Sequence, residues 1–281
     1  MTGNITSNIT PKQIMSTGKK FIAPGGWFAM TYPLSWSEYE DSEDCFLFYN
    51  PDEWTGNFRI SAYRGDRHFA DTSIKNELHD NESARRIRVG AWDCAYSKEM
   101  FEEEGRYYVS HLWVTGRGDL VFEISFTVPK GGDVAEAEQV IASLEPREPD
   151  AKYPAEIIPA RLSEVYAINE AYEWVSSQVK ELLKVDFVGS EADVAHMQQL
   201  VEQLEIAPKK KDVWLKLGIV LCVIMANEAD GLEWRTLIDG NREAPILVDV
   251  ETGEVVDPMK LVWSRVKAGE AVDLVKAYKG E

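Results

Sequence analysis

Between Gly26 and Val128, apolar residues recur mostly at every second position or in short aromatic runs, the pattern of strands half-buried on one face. Residues 27–32 end at Pro33, residues 45–49 form a continuous apolar and aromatic run, and Phe58, Ile60 and Ala62 alternate with Arg59, Ser61 and Tyr63. Residues 71–84 change to helical spacing, with Ile74 and Leu78 four apart behind a cap at Asp71 or Thr72. Strands resume over 86–96 and 106–115, separated by the charged stretch 98–105. Leu120, Phe122, Ile124, Phe126 and Val128 then give the clearest period of two in the chain. Between the last two strands, Gly116 and Gly118 predict a tight hairpin. Asp133, three residues before Glu136, predicts the start of a helix whose buried stripe is Val134, Ala137, Ile141 and Leu144. The order βββαβββα then meets Glu145-Pro146-Arg147-Glu148-Pro149-Asp150, which reads as a connector.

The second half changes period. Leu162, Val165, Tyr166, Tyr172, Val175, Val179 and Leu182 recur at helical spacing, as do Val194, Met197, Val201 and Leu204. A third helix over 211–227 is apolar on nearly every side and belongs in the middle of its domain. Two short strands, 234–238 and 245–250, form a hairpin, and helices over 259–267 and 270–278 close the chain. The predicted fold class is α+β. Residues 1–20 are a flexible lead-in, 21–147 an antiparallel sheet flanked by helices, and 148–281 a mainly helical domain with a small β-hairpin.

Composition changes this picture little. A length of 281 residues suits two cores, and 44% hydrophobic with 28% charged residues is ordinary for a folded protein. Charge says more. Forty-eight acidic residues against thirty basic ones give a net charge of −18, with both halves acidic. That balance argues against nucleic acid or an anionic membrane as the main partner and favours encounter with a basic protein. The longest apolar run, 217–226, is ten residues, short of the ~20 that cross a bilayer. Residues 1–20 lack the apolar centre of a signal peptide, and three widely spaced cysteines suit a reducing compartment, so the expected location is the cytoplasm.

Candidate chemistry is sparse. No P-loop, GxGxxG, GxSxG or HExxH motif occurs, and the four histidines make no HxH or HxxxH pair, so neither a cofactor nor a metal is expected. Cys94 and His111 would form a nucleophilic pair only if their strands aligned them, since a thiolate needs an adjacent base or cation. Arg-Gly-Asp occurs at 64–66 and 117–119, in both cases where a turn is predicted. Two regions concentrate polar groups. Trp36, Glu38, Tyr39, Glu40, Asp41, Glu43 and Asp44 combine carboxylates with aromatics, as an acidic contact surface would, or as a solvated loop with Trp36 packed on the core. Asn227, Glu228, Trp234, Arg235, Asp239 and Arg242 flank the buried helix, where a cleft could hold a small ligand; the alternative is helix termination and an Arg–Asp pair bracing a hairpin. Trp54, Trp174, Trp214 and Trp263 read as core aromatics.

Residues 24–28 (PGGWF), 32–36 (YPLSW), 46–51 (FLFYNP) and 56–61 (GNFRIS) carry a resemblance, joined by 214–218 (WLKLG) and 227–234. The chain resembles a bacterial, Bacteroides-type, two-domain family of paired domains of unknown function, over about residues 21–278. Its first module resembles the PsbP type, which implies an antiparallel sheet flanked by helices. No catalytic residues come with the resemblance, and PsbP-type modules serve as binding or assembly factors. The expectation is therefore a non-enzymatic, cytosolic interaction or accessory protein, an immunity protein being one form, that meets a basic protein through an acidic surface. The alternative is a small-ligand-binding module or an enzyme using a cleft near 227–242.

Overall fold

The computed structural model describes residues 18–42 and 45–280, with the side chains of 40–42 excepted. It divides after Lys152 into two compact units, each with its own hydrophobic core. The chain is α+β throughout.

The first unit runs β1 (Lys19–Ile22), β2 (Phe28–Tyr32), β3 (Ser37–Ser42), β4 (Cys45–Tyr49), β5 (Asn57–Arg64), α1 (Phe69–Asp80), β6 (Arg85–Val89), β7 (Trp92–Glu103), β8 (Arg106–Arg117), β9 (Leu120–Pro129), α2 (Ala135–Ala142) and β10 (Glu145–Pro146). Seven strands form one antiparallel sheet in the order β3-β4-β5-β9-β8-β7-β6, and β1-β2-β10 form a second. The alternation read in 120–128 is what builds the core. Phe122, Ile124 and Phe126 meet Phe58, Ile60 and Trp113 on one face of the large sheet, where Phe21, Phe28 and Met30 of the small sheet and Val140 and Ile141 of α2 close over them. Aromatic edges fill the gap, with Phe28 and Phe122 ring centroids 5.1 Å apart at 79°. Helix α1 packs on the opposite, outer face. A Cβ on Gly116 would come within 3.0 Å of the Ala70 Cβ and 2.2 Å of the Leu120 carbonyl oxygen, so only glycine lets helix and strand approach this closely.

Several expectations need correction. The lead-in gives way to a strand at Lys19, while residues 1–17 lie outside the described ones. Residues 86–96 are parts of two strands that reverse at Gly90, whose φ is +57°. The charged stretch 98–105 is mostly strand, because β7 beyond Tyr96 pairs only with β8 and an exposed strand tolerates charge. Glu145 and Pro146 of the expected connector pair with Ala29 and Phe28. The two Arg-Gly-Asp triplets meet each other: Arg64 Nη1 lies 2.7 Å from Asp119 Oδ2, and the Gly65 amide donates to the Asp119 carbonyl. Their residues tie two turns together.

The second unit contains β11 (Glu156–Pro159), α3 (Leu162–Leu183), α4 (Asp193–Leu204), α5 (Lys211–Glu228), β12 (Leu232–Asp239), β13 (Arg242–Asp249) and β14 (Val255–Val256). A π-helical turn (Met259–Trp263), α6 (Ser264–Lys267) and α7 (Leu274–Lys279) complete it. The expected hairpin is the centre of a four-stranded sheet, β11-β12-β13-β14. The last helix starts only at Leu274, where the Asp273 carboxylate caps the Lys276 amide at 2.9 Å. Helix α5 occupies the centre, as its all-round apolarity requires, burying Trp214, Leu217, Val220, Leu221 and Ile224.

Gly218 seats that helix against the start of the π-helical turn, since a Cβ there would lie 2.2 Å from the Pro258 carbonyl oxygen. Backbone cannot yield as a side-chain tip can. Gly218→Ala is expected to destabilise the second unit by about 2–3 kcal/mol, in the range of core overpacking, read as a lower urea midpoint. An unchanged midpoint would show that this contact relaxes.

Candidate functional site

In antiparallel pairs, residues directly opposite share a face, so the register assigns every side chain of the large sheet. Tyr39, Leu47, Arg59, Ser125, Leu112 and Ser97 stand in one row across the outer face. Helix α1 covers this face where Ala70 meets Gly116 and donates its amide to the Gly118 carbonyl. Elsewhere the face presents large side chains to solvent. Phe101 and Tyr108, directly paired across β7 and β8, stack at 5.7 Å and 27°, and Trp54 stands edge-on to Tyr108 at 6.1 Å. Trp54 is 40% exposed, Phe101 38% and Leu112 37%. Trp54 is held in place by its indole N–H, which donates to Asn57 Oδ1 at 2.7 Å. Tyr39 and Tyr49 stack at 3.8 Å, and the Ser110 and Thr127 hydroxyls bond at 2.7 Å between the aromatic groups. Exposed carboxylates border the patch: Asp52 and Glu53 beside Trp54, Glu99 opposite Ser110, and Glu123 opposite Val114. The arrangement is an aromatic centre bordered by carboxylates, with Arg59 and Arg106 on the same face.

Residues 37–42 of the acidic segment are the edge strand β3 and not a loop. Trp36, at its entrance, is fully buried between Phe58 and Phe126, so it anchors the strand to the core. Glu38 is half-buried on the inner face, opposite Phe48, whereas Tyr39 points to the outer one. Glu40 and Asp41 contribute backbone to β3; their side chains, and Glu43 and Asp44 entirely, lie outside the described residues.

The C-terminal candidates are not gathered at one place. The Asn227 amide donates to the Gly189 carbonyl at 2.9 Å, and Glu228 Oε1 accepts from the Glu191 amide at 2.9 Å, pinning the α3–α4 loop to the end of α5. Trp234 packs against the second core, and Arg235 pairs with Glu233. Asp239 is exposed at the β12–β13 turn beside Arg242, which forks onto Asp257 at 2.8 and 2.6 Å. Seven strand steps of about 3.3 Å put the two ends of β12 about 23 Å apart.

Cys94 and His111 do not pair. The register sets His111 opposite Lys98, and its Nδ1 lies 2.7 Å from the Tyr96 hydroxyl. Burial, with Lys98 adding to it, lowers the pKa of the imidazole; burial raises that of the Cys94 thiol, making it a poor nucleophile. Among the described residues, no group of three or more His, Cys, Asp or Glu could hold a metal ion, and no helix is long and apolar enough to cross a membrane.

A family model described as a domain of unknown function (DUF3805) matches residues 16–169, over half of the chain. The chain belongs to the DUF3805 family. A second domain of unknown function (DUF3806) matches residues 193–278, so the expected pairing of two such domains holds. A crystal structure from Bacteroides thetaiotaomicron VPI-5482 is 58% identical, covering 94% of this chain and 98% of its own at a TM-score of 0.92. The solution structure of cyanobacterial PsbP from Synechocystis sp. PCC 6803 is 13% identical over 48% of this chain and 95% of its own, at a TM-score of 0.24. The crystal structure of LpqN, involved in cell envelope biogenesis of Mycobacterium tuberculosis, is 12% identical over 47% of this chain and 88% of its own, at a TM-score of 0.26. These two likenesses are distant, and the sheet order carries the fold description without them. No curated protein matches.

One buried polar cluster escaped the sequence reading of this DUF3805–DUF3806 chain. Arg161, at the start of α3, forks onto Glu164 at 2.8 and 2.7 Å and reaches Glu243 of β13 at 2.7 Å. The Thr236 hydroxyl donates to Glu164 at 2.9 Å and accepts the Arg161 amide, so helix and sheet share one network. Burial opposes ionisation of Glu164, but hydrogen bonds and charge from Arg161, helped by Thr236 and Ser163, hold its carboxyl below the ordinary value. The same direction holds for Asp193, where burial is outweighed by His196 and the amides of Ser190, Val188 and Gly189. No motif marks either cluster, because both depend on burial that only tertiary packing supplies.

A carboxyl whose pKa is lower folded than unfolded stabilises fully above about pH 5 and loses that contribution as pH falls through the folded-state value. Urea midpoints should therefore decline as pH falls from about pH 5 to pH 3. Glu164→Gln leaves Arg161 without its main counter-charge. It is expected to cost about 3–5 kcal/mol at neutral pH and to flatten the acid decline. A variant as stable as the parent would remove the network from the account of this unit.

Proposed function

We propose that the chain is a non-enzymatic interaction protein whose first unit docks a basic protein partner on the outer face of the seven-stranded sheet. The observation that carries this reading is the ring cluster of exposed Trp54 and Phe101 about half-buried Tyr108, with exposed Leu112 further along β8 on the same face and carboxylates at the border. Aromatic centres inside polar rims are how protein interfaces concentrate binding energy, and a net charge of −18 steers a basic partner toward the molecule. An immunity protein that neutralises a basic toxin is one form of such a pair. The cysteines Cys45, Cys94 and Cys222 are unbridged, which supports a reducing compartment such as the cytoplasm. A ligand cleft at 227–242 has less support, because Asn227, Glu228, Arg235 and Arg242 already hold internal partners.

The test is affinity purification of the tagged protein from its own host at low and high salt, beside a Trp54→Ala/Phe101→Asp variant checked for native circular dichroism. The expected result is a basic protein held by the parent at low salt, released at high salt and not held by the variant. No retained protein at either salt, or one held equally by the variant, would overturn the assignment of this face.

A further inference from the structure

The seven-stranded sheet ends on β6, Arg85-Arg86-Ile87-Arg88-Val89, which pairs only with β7. The loop between them is the two residues Gly90 and Ala91, so Val89 and Trp92 form a hydrogen-bonded pair. Alternation along the hairpin then points the amides and carbonyls of Arg86 and Arg88 away from β7, to the open edge. Among the described residues these backbone groups take no other backbone partner, and all three arginines are exposed. The side chains of Arg86 and Arg88 share the outer face, whereas Ile87 stands on the inner one, half-buried against the first core. Arg85 lies over the Tyr96 ring at 5.3 Å, and Arg88 Nε donates to the Gly90 carbonyl at 3.3 Å. None of the three makes an ion pair within 4.0 Å among the described residues, although Asp93 stands opposite Arg88 across the hairpin.

We propose that this edge takes up an acidic, extended segment of another protein as an added antiparallel strand. Unpaired backbone groups supply affinity whatever the sequence, and the side chains beside them choose the occupant. Charge on an edge strand keeps it from pairing with its own copy, and either sign serves that purpose. Three cations and no carboxylate on one short strand, in a chain of 48 acidic and 30 basic residues, go beyond protection and select the sign of the partner. Two copies joined edge to edge through β6 would set arginines against arginines, which disfavours that symmetric pair. An incoming strand with carboxylates at two alternate positions sets them opposite Arg86 and Arg88, with about 5 Å between Cβ atoms. An apolar residue between the two carboxylates covers Ile87. The pattern recognised is therefore acidic, apolar, acidic. The edge is separate from the aromatic face, and docking at either can fail without the other.

Titration of the isotope-labelled full-length protein at low salt, followed by amide NMR, tests it with a short capped peptide of alternating glutamate and valine. The controls are its glutamine counterpart and the glutamate peptide N-methylated at its glutamate amides, which are the ones that would pair. The expected result is that the Arg86 and Arg88 amides move downfield, as new hydrogen bonds require, with a dissociation constant at or below about 1 mM. The glutamine peptide should bind about tenfold more weakly, and the N-methylated one should leave both amides in place. Arg86→Gln and Arg88→Gln should each weaken binding about threefold, the worth of one cross-strand charge pair. Arg86→Pro should weaken it further than Arg86→Gln, because proline removes an amide that the ladder to β7 does not use. Both glutamine variants lie at exposed positions and should unfold at the parent's urea midpoint. No shift of the Arg86 and Arg88 amides up to about 5 mM peptide would overturn the proposal, as would equal binding of the N-methylated peptide, which reduces the edge to surface charge. Self-association of the protein alone that Arg86→Gln/Arg88→Gln abolishes would put a second copy on the edge and overturn the assignment to another protein.

Discussion

The first unit depends on the pleat of its seven-stranded sheet, because β5, β9, β8 and β7 pair over long runs in which each residue's face follows from its position alone. A slip of one residue would turn Phe122, Ile124 and Phe126 to solvent and bury Glu123 and Ser125 in an aromatic core. The burial of those rings against the small sheet is large enough to make the register unambiguous. Everything on the outer face inherits its position from that choice. Phe101, Tyr108 and Leu112 face outward because Tyr96, Trp113 and Ile124, at positions of the opposite phase in the same sheet, are committed to the core.

Strands were legible in the sequence where burial is one-sided and uninterrupted, as from Leu120 to Val128, and illegible where a strand lies at the edge of its sheet. Residues 37–42 carry Glu38, Glu40 and Asp41, and a charge run reads as a loop because the usual strand signal is apolar alternation. An edge strand needs only one bonded neighbour, and charge on it discourages pairing with another chain. The outer half of β7 was hidden for the same reason. Trp54 misled in the opposite direction: tryptophan is commonly buried, yet here the loop before β5 holds it against Tyr108 in the open, a placement fixed by the Asn57 side chain.

The second unit shows what composition can and cannot reveal. Helix α5 announced its central position, since a helix apolar on every side has nowhere else to go. The buried Arg161 network did not, because arginine and glutamate at that spacing normally mark a solvated helix start. Its members come from α3, β12 and β13, so the network exists only once the sheet has docked on the helix. The candidates at 227–242 illustrate the converse: they are close in sequence, but a strand of eight residues carries its two ends far apart.

The edge and the face of the large sheet make different demands on an explanation. Carboxylates on β3 are accounted for without any partner, because an acidic edge keeps the sheet from extending into a neighbour. Trp36, which would have been the natural anchor of an acidic contact surface, is fully consumed by the core. No comparable structural reason accounts for Phe101 and Leu112, which neither cap the core nor protect an edge and which expose apolar area that water disfavours. Acidity alone is therefore weak ground for a partner, and the aromatic face is the stronger one. Charge brings a basic protein close, whereas the apolar contact decides whether it stays.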